Sequence, residues 1–154
     1  MQNHFRRLPG RFGTQLVVLQ TGQIGAANYL GGASPVTANT TTTFYLGPVP
    51  CKCVFSRLAA SAVTVPVDAD GTIIATAFKY SAAANAQVQV SAALNLEALV
   101  TREGTIVKQY TSATEAGLTL LEGDAVEVNV VNNSAAIDTQ PAGLVFVAEL
   151  YRIE

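Results

Sequence analysis

Five segments of this chain alternate apolar and polar residues with a period of two, the period of an extended strand whose side chains point to opposite faces. They are Cys51-Lys52-Cys53-Val54-Phe55-Ser56-Arg57-Leu58, Ile73 to Tyr80, Gln87-Val88-Gln89-Val90-Ser91, Val126-Glu127-Val128-Asn129-Val130 and Leu144 to Tyr151. Asp68-Ala69-Asp70-Gly71, Ala82 to Asn85, Gly123-Asp124 and Asn132-Asn133-Ser134 supply turn residues between them. Short strands at this spacing, without long amphipathic helices, predict an all-β chain with antiparallel pairing, a sandwich or a barrel. Ala92 to Val100, with Ala93, Leu94, Leu96, Ala98 and Leu99, reads as a short helical connection. The expected core is Phe55, Leu58, Ile74, Phe78, Val88, Val90, Leu120, Val126, Val128, Val130, Phe146 and Leu150, with Ile74, Thr76, Phe78 and Tyr80 sharing one face of their strand.

A second feature limits what surrounds those strands. Residues 12 to 51, forty in a row, contain no Asp, Glu, Lys or Arg. A soluble domain places about a quarter of its residues in charge, much of it on free surface; here the figure for the whole chain is 13%, against 49% hydrophobic. The longest apolar run in the stretch, Leu16-Val17-Val18-Leu19, is far below the roughly 20 residues of a membrane span. Disordered segments are rich in charge and poor in β-branched residues, which this one is not. The composition therefore points to an arm or strand set that lies on copies of the chain or on a partner protein, with Thr and Asn solvating ordinary strands as the simpler account. We expect an extended N-terminal arm over 1–40 and a β-sandwich over 41–154, with the boundary near Gly31 to Pro35. Thr41 to Tyr45 reads as strand, because Thr is favourable there and unfavourable in a helix.

The arm has a basic tip, Arg6, Arg7 and Arg11 beside His4. Net charge is −2, and beyond Arg11 six basic residues face eleven acidic ones, a balance of −5. Such a chain has no field to attract nucleic acid or an anionic membrane. The tip is either a solvated terminus or an anchor for an acidic surface. At the other end, Leu144, Phe146, Ala148 and Leu150 make one apolar strand face, yet the opposite face, Val145, Val147, Glu149 and Tyr151, is half apolar as well. A sheet with one solvated face alternates more cleanly, so the arm or another subunit is expected to cover it. The candidate partner contacts are Arg6, Arg7, Arg11, Leu16, Val18, Tyr29, Val145, Val147 and Tyr151.

The residues offer little for catalysis. His4 is the only histidine, so a Ser-His-Asp or Cys-His arrangement has no convincing place to form. Gly22-Gln23-Ile24-Gly25 and Gly31-Gly32 lack the Lys-Ser/Thr and the strand-turn-helix setting of a phosphate loop. Asp68-Ala69-Asp70-Gly71 has no glutamate closing a calcium loop and reads as a hairpin turn. Paired carboxylates of the glycosidase kind are poorly supported without a Trp to stack a sugar. Cys51 and Cys53, spaced i and i+2 on an expected strand, point to one face, are poorly placed to bond to each other, and lack the further ligands of a zinc site. Buried, reduced thiols are expected, with no cofactor and no metal. The N-terminus does not read as a secretion signal, since Leu8-Pro9-Gly10-Arg11 follows the arginines. A non-enzymatic interaction protein is the class that fits.

Two segments carry resemblances. Leu118-Thr119-Leu120-Leu121-Glu122-Gly123-Asp124-Ala125-Val126-Glu127-Val128-Asn129-Val130 is similar to the late strand entry of tumour-necrosis-factor-like, C1q-like and viral jelly-roll domains. Thr41-Thr42-Thr43-Phe44-Tyr45-Leu46-Gly47-Pro48-Val49-Pro50-Cys51-Lys52-Cys53, followed by an alternating strand, resembles small virion proteins of tailed bacteriophages. Together they cover residues 40 to 154. They imply a jelly-roll-like β-sandwich and a capsid decoration or cement protein. Such a protein binds the outer shell, bridges capsomers and is assembled in the host cytoplasm, with the major capsid protein and copies of itself, a trimer among them, as partners. Alternatives are a tail or head-fibre component, or a lectin-like carbohydrate- or receptor-binding module using Tyr29, Tyr80 and Tyr110. The tumour-necrosis-factor class fits less well, because no stalk and no secretion signal are read.

Overall fold

A computed structural model describes residues 16–20, 41–62, 64–81, 83–98, 108–111, 119–133, 137–139, 141 and 143–153. The strands are β1 Leu16–Gln20, β2 Thr41–Pro48, β3 Cys53–Ser61, β4 Ile73–Ser81, β5 Ala86–Gln89, β6 Leu94–Asn95, β7 Lys108–Thr111, β8 Thr119–Leu120, β9 Ala125–Asn132 and β10 Val145–Arg152. The expected helical connection is a single 3₁₀ turn, Leu96–Ala98, with the Asn95 side chain accepting from the Glu97 N–H at 3.0 Å; Leu99 and Val100 lie outside the described residues.

The strands form two antiparallel sheets. One runs β1-β10-β3-β7 with β8 beside β3; the other runs β2-β9-β4-β5 with β6 beside β4. Taken in chain order, the eight longer strands alternate between the sheets except at the β4–β5 hairpin. The antiparallel sandwich expected from the sequence is thus present. Its core is built from alternate residues: Phe44 and Leu46 of β2, Cys53, Phe55, Leu58 and Ala60 of β3, Val126, Val128 and Val130 of β9, and Phe146, Ala148 and Leu150 of β10. Phe44 and Phe146 join the two layers, their ring centroids 5.6 Å apart and tilted by 44°.

Three of the expected core residues are elsewhere. In β4 the buried residues are Ile73, Ala75 and Ala77, while Ile74 and Phe78 lie on the outer face with Thr76 and Tyr80. The strand is apolar on both faces, so alternation alone does not choose between them. Packing against the opposite sheet chooses: Ile73, Ala75 and Ala77 are the residues of β4 buried in the core, with Ala77 in the row of Val128 and Phe44. Val88 is 40% exposed, because β5 is an edge strand whose four residues are all exposed.

The arm also departs from expectation in part. Residues 16–20 pair with β10 as the edge strand of their own sheet, and Val17 and Leu19 pack against the core. Without β1 the apolar strand β10 would itself be an open edge, so this short pairing protects it.

The turn before β9 follows from its residues. Gly123 has φ +87°, the left-handed conformation that a type II turn requires at its third position, and the Asp124 N–H donates to the Leu121 carbonyl at 3.0 Å. The Asp124 carboxylate accepts from the Leu121 N–H at 2.9 Å. The same turn is tied to the end of β2: Val49 N–H donates to the Asp124 carbonyl at 2.8 Å, and Gly123 N–H to the Val49 carbonyl at 3.0 Å.

Candidate partner interface

The charge-free stretch acquires a position here. It contributes β1 and β2, and each is the edge strand of a different sheet, on the same side of the sandwich, where the two approach each other. Three of the large apolar side chains left in solvent belong to them: Leu16 and Val18, each 49% exposed, and Tyr45, 55% exposed. Among the described residues no strand pairs with the outer edge of either β1 or β2. Natural sheet edges are usually blunted by Lys, Pro or inward charge. β1 has none of these, and β2 has only Pro48 at its end.

Around the corner from this edge lies the outer face of the β1-β10-β3 layer. Leu16, Tyr151 and Val54 form one row across it by register; Val18, Glu149 and Arg57 form the next; Val147 with Ala59 and Val145 with Ser61 continue it. Its character is apolar, with one ion pair set into it. Arg57 Nε donates to Glu149 Oε2 at 2.5 Å and its Nη2 to Oε1 at 2.7 Å, a bidentate pair. The Glu149 carboxylate beside it holds the Arg57 guanidinium above its ordinary value.

Five of the sequence-derived contact candidates, Leu16, Val18, Val145, Val147 and Tyr151, therefore share one face. Arg6, Arg7, Arg11 and Tyr29 lie outside the described residues. Reading alternation alone missed Val54, Arg57 and Tyr45. Val54 and Tyr45 were legible as the residues alternating with Cys53-Phe55 and with Phe44-Leu46. Arg57 was not, because a bulge displaces it.

The outer face of the other sheet is different. Thr43 donates to Asn129 at 2.8 Å and Gln87 to Glu127 at 2.6 Å, with Thr41, Thr76 and Gln89 alongside. Ile74, Phe78 and Tyr80 are interspersed among them, and the Tyr80 hydroxyl donates to Asn85 at the hairpin tip. Tyr110 occupies β7 opposite Leu58 in backbone register. Hydrogen-bonding side chains occupy several rows of this face, whereas on the β1-β10-β3 face the described hydrogen-bonded side chains are the Arg57–Glu149 pair.

The remaining chemistry is structural. Asp68 and its neighbours form a cross-braced loop: the Glu97 carboxylate accepts from the N–H groups of Asp68 at 2.6 Å and Ile73 at 3.3 Å, Asp138 accepts from Ala69 at 2.8 Å, and Asp68 accepts from Asp70 at 3.1 Å. These carboxylates serve backbone donors, and among the described residues no group of three His, Cys, Asp or Glu side chains is disposed to hold a metal ion. The loop leads from one sheet to the other, so it is not the hairpin turn its sequence suggests.

Cys51 and Cys53 are both free thiols, Cys51 half-buried and Cys53 fully buried. Burial pushes the Cys53 thiol up to about 11, the hydrogen bond and proximity of Cys51 add to this, and Arg152 acts in the opposite direction. Their sulfurs are in hydrogen-bond contact at 3.6 Å, with no bond between them. Cys51 sits in a bend rather than in the strand.

No protein-family model matches the chain, and comparison with curated proteins finds no relative.

Proposed function

We propose that this protein is a non-enzymatic structural protein of a virion, a decoration or cement protein that seats its uncharged side on a protein shell and bridges neighbouring subunits. The observation that carries this reading is the use of one forty-residue charge-free stretch for both edge strands of one side of the sandwich. A neighbouring strand can add to such an edge through backbone hydrogen bonds, and apolar side chains beside it supply the buried contact. Leu16, Val18, Val145, Val147 and Tyr151 are those side chains. The strand order supports a jelly-roll topology: the longer strands, numbered one to eight, run 1-8-3-6 and 2-7-4-5, as two interleaved Greek keys do. Jelly rolls serve in viral shells and in lectins, so topology raises the virion reading without deciding it. The resemblance of residues 40 to 154 to small bacteriophage virion proteins supplies the choice.

Attachment by this side stabilises the assembled shell by mass action, since the protein binds the closed state and not the dispersed subunits. The test is cosedimentation of the full-length chain with shells stripped of it. Wild type is expected to sediment with the shells, Val18→Lys and Val147→Lys to lose at least about tenfold in affinity, the scale of a buried contact, and Thr76→Lys on the opposite outer face to bind as wild type does. Failure of wild type to sediment ends the shell reading. Equal binding by all three variants moves the contact away from this side.

A further inference from the structure

We propose that Cys51 and Cys53 are a redox-modification site, a dithiol that low-molecular-weight disulfides oxidise to a reversible intrachain disulfide. Two residues apart on a straight strand, their Cα atoms would stand at roughly 6.6 to 6.8 Å, the upper limit for a disulfide. Here Pro50 and Cys51 lie in a bend ahead of the strand rather than in it. The bend is held from both sides: Val49 is bonded to Gly123 and Asp124, and the Ile153 N–H donates to the Lys52 carbonyl at 3.1 Å. Between these anchors the sulfurs lie 3.6 Å apart, and the Cys53 thiol also donates to the Cys51 carbonyl at 3.1 Å. Closing to a bond length of about 2.05 Å needs side-chain rotation and a small adjustment of the bend, not a change of fold.

The two thiols have unequal access, and that orders the chemistry. Cys51 is half-buried and meets the oxidant; Cys53, fully buried, is reached only through Cys51. The Cys51 thiol gives up its proton and the thiolate attacks one sulfur of the external disulfide. The external S–S bond breaks, one small thiolate leaves, and a mixed disulfide forms on Cys51. The Cys53 thiol then gives up its proton as it attacks the Cys51 sulfur. The second small thiolate departs, and both released thiolates take up protons. In total one external disulfide is reduced to two thiols and one protein dithiol is oxidised. Because the loop so closed is very short, the bond adds little to the folded state through chain entropy, as befits a bond that forms and breaks with its surroundings. Burial holds the Cys53 thiol in its protonated form, and Arg152, opposite Cys53 in register, acts in the other direction to a lesser extent.

The experiment treats reduced full-length protein with oxidised glutathione and follows intact mass, free thiols and peptide linkage. Wild type is expected to lose both thiols and two hydrogens in mass, with the link mapped between Cys51 and Cys53 and reversed by dithiothreitol. Cys53→Ser should stop at a glutathione adduct on Cys51. Cys51→Ser should react at least about tenfold more slowly, because the remaining thiol is buried. Wild type that halts at the adduct, forms only disulfide-linked dimers, or keeps both thiols under conditions that oxidise a small peptide dithiol overturns the proposal.

Discussion

Arg57 and Glu149 meet across β3 and β10 because Ser56 is an extra residue in β3. Pairing runs Glu149 with Arg57 and then Leu150 with Phe55, so Ser56 is left without an opposite number and the side-chain alternation resets. Without the bulge, Arg57 would point the same way as Cys53 and Phe55, into the core. With it, Leu58 and Ala60 take the inward positions and Arg57 turns outward onto the carboxylate of Glu149. The bulge thus keeps the core apolar and places a self-neutralised pair in the middle of the apolar outer face.

A paired charge of this kind costs more to break than to replace. Glu149→Ala is expected to lower the melting temperature, because it removes the bidentate acceptor of the Arg57 guanidinium. The double variant Arg57→Met, Glu149→Met should recover much of that loss. Thermal unfolding of the single and double variants measures the difference. A double variant no better than Glu149→Ala would mean that the ion pair itself, rather than apolar contact at these two positions, sets the stability of this face.

The register of β1 makes neighbouring valines unequal. Val17 faces the core and Val18 is half-exposed on the outer face. Val17→Ala is expected to cost about 1 to 2 kcal/mol, in the range for loss of buried methyl groups, while Val18→Ala stays within about 0.5 kcal/mol as surface substitutions do. Urea denaturation of the two variants decides it. Equal and negligible effects would show that β1 contributes nothing to the folded chain.

In β4 Ala77 is inward and fully buried, and Phe78 points outward. Ala77→Leu should therefore destabilise by about 1 to 3 kcal/mol through overpacking. Phe78→Leu should be tolerated with about 1 kcal/mol or less, as for a partly exposed apolar exchange. The opposite ranking by chemical denaturation would reverse the register of the strand.

The buried thiol makes stability depend on alkaline pH. Cys53 has its proton held up to about 11 in the folded chain against an ordinary 9.0. The folded state thus binds the proton more tightly than the unfolded one. The stabilisation is fully present below 9.0, and it is lost as pH rises toward 11. Denaturation of reduced protein across this range should show the decline, and Cys53→Ala should flatten it.

Much of the fold was legible because strand alternation is a local property. Val126 to Val130 and Phe146 to Leu150 declare their inner faces in the chain itself, since each inward residue is apolar and enough of its neighbours are not. Leu121-Glu122-Gly123-Asp124 declares its turn for the same reason, through the one residue type that takes a positive φ without strain. Where both faces of a strand are apolar, as in β4, the pattern carries no direction. The choice then falls to packing against the opposite sheet, to which the strand's own sequence makes no reference. The bulge at Ser56 is of the same kind, because a register shift is defined only against the strand it pairs with.

The candidate interface divides along that line. Composition alone showed that residues 12 to 51 avoid charge, and that Val145, Val147 and Tyr151 back onto an apolar strand face. Only the tertiary structure set β1 and β2 on the edges of two different sheets at one side, and turned two cysteines that a straight strand would hold apart to within 3.6 Å. The physical reason is distance along the chain. Side-chain periodicity is decided by adjacent residues, whereas sheet order, edge exposure and the reach of a bend depend on pairings between segments far apart in sequence, which no local pattern encodes.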